Sequence, residues 1–204
     1  MKLVTLGDSL AYGAGDERDG GISGRIETEL RKRGVAGVDA TNLGQNGAQT
    51  ADVLYRIRQE RVRKLLGTAD AIILSIGAND LFRTPGSREQ VLADPFSIAD
   101  KILGRIEQII TELRTINPRA RILLLGGYNP VPSHAFSMMV DHYLALWDDA
   151  VTTRFAKHPL VSIVKMADLV TANRLSRYDN FHPGATAYDA ISKRVAEMLV
   201  AKAD

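Results

Sequence analysis

The chain has no cysteine among its 204 residues. Disulfides, zinc–thiolate centres and thiol catalysis are thereby excluded. No apolar run approaches the roughly 20 residues needed to span a bilayer. Neither sign of charge dominates: 26 Lys and Arg against 24 Asp and Glu leave a net charge of +2. That balance gives no global argument for nucleic acid or a membrane surface as partner. Aromatic content is low at 6 %, with a single tryptophan. Trp147 falls on a helical stripe with Val140, Tyr143, Leu144 and Val151, a core pattern, so no aromatic platform for a sugar is in view. Phosphate-cradling loops are missing too. Gly13-Ala-Gly15 runs into Asp-Glu-Arg rather than the G-x-G-x-x-G spacing, and Gly-Lys-Ser/Thr does not occur. None of the four histidines has metal-ligand spacing. No metal and no cofactor is called for. Met1-Lys2 leads straight into an apolar run with no signal peptide before it, so a cytoplasmic location is expected, with a trimmed leader the alternative.

What remains is ordinary globular material. Hydrophobic residues make up 45 % and charged residues 25 %. A chain of this length can bury roughly 70 % of the surface it exposes when unfolded. Five short apolar runs alternate with helical patterns. The runs are Lys2 to Leu6, Val38 to Leu43, Ala71 to Ile76, Arg121 to Leu125 and Val161 to Met166. The helical stretches are Ser23 to Arg33, Thr50 to Leu66, Ser97 to Ile116, Met138 to Phe155 and Ala185 to Ala201. Such β-α alternation points to an α/β protein with a mostly parallel sheet covered on both faces. Ile72-Ile-Leu-Ser-Ile76 and Ile122-Leu-Leu-Leu125 do not alternate, as strands buried on both faces should not. The Ser97 to Ile116 stretch carries one isoleucine-rich stripe, with Ser97 and Asp100 as a capping box and Asn117-Pro118 as its stop. No repeat, linker or composition shift interrupts residues 1–204, which reads as a single domain.

Chemistry gathers at the ends of the runs. Gly7-Asp8-Ser9 follows the first, Asn42-Leu-Gly-Gln-Asn-Gly47 the second, Gly77-Ala-Asn-Asp80 the third, and Asp179-Asn-Phe-His-Pro183 precedes the last helix. In a doubly wound sheet these loops share one rim, where ligands enter. Ser9 can attack a carbonyl carbon once a base takes its proton. His182 is a suitable base, because imidazole titrates near neutrality. Asp179 can hold the imidazole tautomer and stabilise the imidazolium that forms. The backbone N–H of Ser9, the backbone N–H of Gly44 and the side-chain amide of Asn79 are donors of the right type for an oxyanion.

These four blocks resemble the SGNH, or GDSL-type, hydrolases, a superfamily of esterases, lipases, thioesterases and carbohydrate deacetylases. The resemblance runs from Leu3 to Pro183 with the blocks in family order. It implies Ser9 as nucleophile, Gly44 and Asn79 as oxyanion residues, and Asp179 with His182 as the remaining pair. It implies a flavodoxin-like three-layer α/β/α sandwich with a five-stranded parallel sheet in the order 2-1-3-4-5. The expected activity is hydrolysis of carboxylic esters of small to medium acyl chains, on a small-molecule or lipid ester. Carbohydrate O-deacetylation and acyl-thioester hydrolysis use the same machinery. The resemblance does not name an oligomeric state.

Other residues have plainer uses. Asp8 and Asp80 read as acceptors that fix their loops. Asn46 reads as a turn residue and Thr50 as a helix N-cap. Phe82, Phe136 and Met138, with Phe96 and Met139, lie in or beside two long loops at the rim. They either pack beneath those loops or wall an acyl-chain pocket. His134, His142 and His158 read as surface or connector residues. Arg56, Arg58, Arg61, Arg63 and Lys64 read as a solvated helix face. A flavodoxin-like binding or signalling domain without catalysis is the rival from another class. A phospho-receiver would match Asp8 and Lys165, but the third run ends in Gly77-Ala-Asn79 rather than an acceptor aspartate.

Overall fold

Five strands build one all-parallel sheet in the computed structural model, which describes residues 1–18, 20–83 and 94–201. They are β1 (Lys2–Gly7), β2 (Asp39–Gly44), β3 (Ala71–Ser75), β4 (Arg121–Leu125) and β5 (Val161–Val164). Their spatial order is β2-β1-β3-β4-β5, the expected one. The chain steps out from β1 to β2, then crosses back to β3 on the other side of β1. A crevice opens at such a switch point, outside the carboxyl ends of the strands. Gly7 is level with Gly44 on one neighbour and Ser75 on the other, so three adjacent strands end together.

The non-alternating strands are buried from both sides, as their composition requires. Val4, Leu6, Ile72, Leu74, Ile122 and Leu124 face one core. Leu3, Ala71, Ile73, Leu123 and Leu125 face the other. Helices α3 (Thr50–Ile57), α4 (Glu60–Gly67), α5 (Ala78–Arg83), α6 (Pro95–Ile116) and α7 (Ser137–Phe155) cover the first face. Helices α1 (Ser9–Tyr12), α2 (Gly21–Lys32) and α8 (Ala185–Val200) cover the second. The result is a three-layer α/β/α sandwich. Each fully buried Ile or Leu contributes roughly 1.5–3 kcal/mol, so the Ile102, Ile106, Ile109, Ile110 and Leu113 stripe anchors α6 firmly.

Several local expectations are corrected. The stretch from Thr50 to Leu66 is two helices, broken at Arg58 and Gln59, where Gln59 is extended. Its buried positions explain the break: Val53 to Ile57 and Val62 to Leu66 are four-residue steps, but Ile57 to Val62 is five. Five residues rotate an unbroken helix well past its starting face. Helix α3 is capped by Gln49 rather than Thr50, with Gln49 N–H donating to Asp52 Oδ2 at 2.8 Å. Helix α6 starts at Pro95, and its N-cap is Asp94, whose Oδ1 accepts from Ser97 N–H at 3.0 Å. Proline at the first helical position and an acceptor before it outcompete the Ser97–Asp100 box. Asp100 instead accepts from Arg154 at 2.6 Å. Of the Trp147 stripe only Val151 is fully buried; Tyr143 is exposed. Among the described residues no helix is long and apolar enough to cross a membrane.

Candidate active site

Ser9 stands at the switch point because Gly7 can end β1 where no other residue could. Gly7 has φ +136°, and a Cβ on it would lie 1.8 Å from the Ser75 carbonyl oxygen. Asp8 N–H donates to that carbonyl at 2.9 Å. Asp8 then caps α1: its Oδ1 accepts from Leu10 N–H at 3.2 Å and from Ser75 Oγ at 2.8 Å. Ser9 is thus the first residue of α1, half-buried, with its N–H unclaimed among the described residues.

Burial pushes the Asp8 carboxyl up from 3.8 to about 6, against the bonds from Ser75 and the α1 amides, which pull it down. Between those two pH values the unfolded chain releases this proton before the folded chain does. Stability is therefore lost as pH rises through that window, by about 3 kcal/mol in all, and the loss is complete above it. Asp8→Asn keeps an acceptor for Leu10 and Ser75 but cannot ionise. Urea melts at pH 4 and pH 7 should show D8N gaining about 2–3 kcal/mol on the parent between the two. Identical pH dependence in both proteins would refute the burial account.

The segment 175–185 brings the imidazole to Ser9. Asp179 Oδ1 accepts from Phe181 N–H at 2.9 Å and His182 N–H at 3.0 Å, which folds the segment back on itself. Asp179 Oδ2 lies 2.6 Å from His182 Nδ1, and His182 Nε2 lies 3.0 Å from Ser9 Oγ. The side chains of Asp179, His182 and Ser9 therefore form one continuous chain of hydrogen bonds. Burial raises the Asp179 carboxyl, but the His182 ring and the two amides outweigh it and hold it below the usual carboxylate range. The turn needs a residue that tolerates positive φ, supplied by Asn180 at +51°. Gly15 lets the neighbouring loop approach: a Cβ there would sit 2.7 Å from His182 Cβ. Tyr128 OH donates to Phe181 O at 3.2 Å, its phenol pushed up by burial and by nearby Asp8 and Asp179.

Asn79 follows β3 on the other side of the crevice, half-buried. Its Nδ2 donates to Ala48 O at 3.0 Å, which leaves its second amide hydrogen for a ligand. Asp80 is buried beneath it. Asp80 accepts from Thr50 N–H at 2.9 Å, from the Thr50 hydroxyl, and from Arg105 at 3.1 Å. Together these bonds lace the loop after β2 to the loop after β3.

Gly44 differs from expectation. Its N–H donates to Asn42 Oδ1 at 2.7 Å, and its Cα faces the backbone of Ala11 and Tyr12, where a Cβ would meet Tyr12 N at 2.2 Å. Its amide is therefore spent on its own turn, and its lack of a side chain serves the packing of α1. The aromatic and methionine candidates differ too. Phe136 and Met138 are 58 % and 85 % exposed, so neither walls an enclosed pocket. Phe136 stacks on His134 instead, at 4.9 Å. The Phe82 side chain lies outside the described residues. His158 packs on Phe155, and Arg56 donates to Leu43 O at 2.7 Å rather than only facing solvent. Sequence reasoning passed over Tyr128, Ser75, Asn42 and Glu17. Two carry a local hint: Ser75, as the last residue of an otherwise apolar strand, and Asn42, which opens the block after the second apolar run.

Fold and site together define an α/β hydrolytic scaffold with a serine at the mouth of the sheet. The chain matches the model of the GDSL-like lipase/acylhydrolase family over residues 5–190, and it belongs to that family. Among curated proteins it is 29 % identical over 205 residues to the uncharacterized protein YpmR of Bacillus subtilis (strain 168), covering 97 % of this chain and 80 % of that one. Among solved structures it resembles the lipase Lip_vut3 from a goat rumen metagenome, with a TM-score of 0.81 and 20 % identity over 97 % of this chain and 96 % of that chain. It also resembles a catalytic mutant of Axe2, an acetylxylan esterase from Geobacillus stearothermophilus, with a TM-score of 0.68 and 14 % identity over 98 % and 94 % of the two chains. At these identities the structural likenesses establish a shared fold.

Proposed function

We propose that this protein is a serine hydrolase that cleaves carboxylic esters of small to medium acyl chains through an acyl-Ser9 intermediate. The observation that carries the reading is the unbroken chain from Asp179 Oδ2 through His182 to Ser9 Oγ, at 2.6 and 3.0 Å. A free hydroxyl is a poor nucleophile. His182 Nε2 removes the Ser9 proton as Oγ attacks the ester carbon, and it returns a proton to the departing alcohol oxygen. Water then attacks the acyl carbon by the same route, and Ser9 is released. Asp179, accepting from Nδ1, keeps Nε2 free for the hydroxyl and stabilises the imidazolium.

The developing oxyanion takes the Ser9 N–H and the second hydrogen of Asn79 Nδ2. From the loop after β2 we assign Gly47 N–H in place of Gly44. Gly47 precedes Ala48, the residue tied to Asn79, and its N–H has no partner among the described residues. Lip_vut3 and Axe2 are described as a lipase and an acetylxylan esterase, which supports an ester substrate and keeps O-deacetylation as the second reading. The exposed Phe136 and Met138 sides of the rim favour an open acyl-binding surface over a deep pocket.

A fluorophosphonate should form one adduct, on Ser9, located by mass spectrometry of the digested protein. A label elsewhere, or none on folded protein, rules the mechanism out. p-Nitrophenyl esters from acetate to palmitate, run beside acetylated sugars and an acyl-thioester, then assign the substrate class.

A further inference from the structure

The loop joining α1 to α2 contains a carboxylate that the proposed reaction does not use. Glu17 Oε1 accepts from Arg177 N–H at 2.9 Å, and Glu17 Oε2 accepts from Ala185 N–H at 2.6 Å. Those two amides bracket Asp179 and His182, one on either side. Glu17 lies only eight positions after Ser9, in a segment whose backbone is tied to Ser9 itself: Gly13 N–H and Ala14 N–H both donate to Ser9 O, at 3.0 and 2.9 Å. We infer that Glu17 is a positioning residue, a two-oxygen clamp that sets the distance between the Ser9 hydroxyl and the His182 ring. The inference rests on the serine-hydrolase reading above.

Three further observations agree with it. Ala185 is the first residue of α8, and its N-cap Gly184 has no side chain to supply an acceptor. The orphan amide at that helix start is therefore satisfied from another part of the chain, by a negative charge that the helix dipole also favours. Gly184 and Gly15 both sit at the contact: a Cβ on Gly184 would lie 3.1 Å from Glu17 Oε1, and one on Gly15 would lie 2.8 Å from Pro183 O. The clamp residue is itself held. The adjacent Asp16 is buried and accepts from Gly21 N–H at 3.0 Å, from Arg18 N–H at 3.2 Å and from Arg25 Nε at 3.0 Å. Asp189 on α8 pairs with Arg18 and Arg25, which closes the frame from the other side. Glu17 thus ties the backbone of this segment, at Arg177 and Ala185, to the loop after α1, beside the close packing of Gly15 and the Tyr188 hydroxyl that donates to Ala14 O at 2.8 Å.

The geometry also says which substitutes suffice. Both donors are backbone N–H groups, so both Glu17 oxygens must accept. Alanine removes both acceptors. Glutamine keeps one and presents an NH2 to the other amide.

The test compares parent, Glu17→Ala and Glu17→Gln by the rate of fluorophosphonate labelling on Ser9, by ester kinetics, and by the low-field proton resonance of the His182–Asp179 hydrogen bond. A displacement of about 1 Å at reacting atoms costs on the order of 100-fold. E17A should therefore lose about 10- to 100-fold in labelling rate and kcat, with KM within about twofold and an altered low-field resonance. E17Q should fall between E17A and the parent. If E17A does not fold, E17Q alone decides. Parent-like labelling in the folded variants overturns the clamp, as does a loss carried by KM or one that leaves the low-field resonance unchanged. A parent protein that is not labelled on Ser9 overturns the serine-hydrolase reading itself, and the two failures are thereby distinguishable.

Discussion

Replacing His182 with alanine is expected to lower kcat by at least about 10³ while the protein stays folded. The first half follows from chemistry. Among the described residues His182 Nε2 is the base in hydrogen-bond reach of Ser9 Oγ, at 3.0 Å, and without it the hydroxyl keeps its proton. The second half follows from how the segment is held. Ser176 N–H donates to His182 O at 2.7 Å, Leu175 pairs with Pro183, and Asp179 accepts from two backbone amides, none of which requires the imidazole. Steady-state kinetics on a p-nitrophenyl ester, with circular dichroism on the same sample, check both halves. Near-normal turnover by a folded H182A protein removes His182 from the mechanism.

Asn79→Ala should cost roughly 10²–10³ in kcat, the worth of one oxyanion donor. Asn79 has one hydrogen committed to Ala48 O, so the substitution also loosens the loop that carries Gly47. Asn79→Asp keeps the shape of asparagine but has no N–H, so it loses donation to both the oxyanion and Ala48 O and adds a charge the transition state repels. Both variants should lose kcat, N79D at least as much as N79A. A change confined to KM would show that Asn79 binds substrate without stabilising the transition state.

Much of this architecture is legible in the residues alone, and the reason is periodicity. Ile72-Ile-Leu-Ser-Ile76 has no polar face to offer water, so it demands burial on both sides and hence helices above and below. The isoleucine-rich stripe of α6, from Ile98 to Ile116, repeats for about five turns and marks a helix with one buried face. Local competition is harder to see. Asp94-Pro95 and Ser97-Asp100 are both respectable helix starts, and only the observed backbone shows that the first wins. The break at Gln59 depends on which face Ile57 and Val62 must share, a matter of the sheet beneath them. In the site, residue types and block order mark Ser9, Asn79, Asp179 and His182 as candidates, but no spacing reveals which backbone amides are already taken. Gly44 N–H is consumed by Asn42 two residues away, whereas Gly47 N–H is not. Glu17 is invisible for a stronger reason: its partners lie 160 and 168 residues distant, and a lone glutamate in a loop has nothing in its neighbourhood to set it apart.

The bond between Ser9 and His182 spans 173 residues. During synthesis the serine emerges with the first strand, and its base emerges only with the segment that leads into α8. The proposed reactive pair therefore cannot form in a nascent chain that still lacks the segment before α8. Recovery of the proposed activity on refolding accordingly requires the segment before α8 to be in place as well as the sheet. On the proposed mechanism, no turnover precedes closure of the fold.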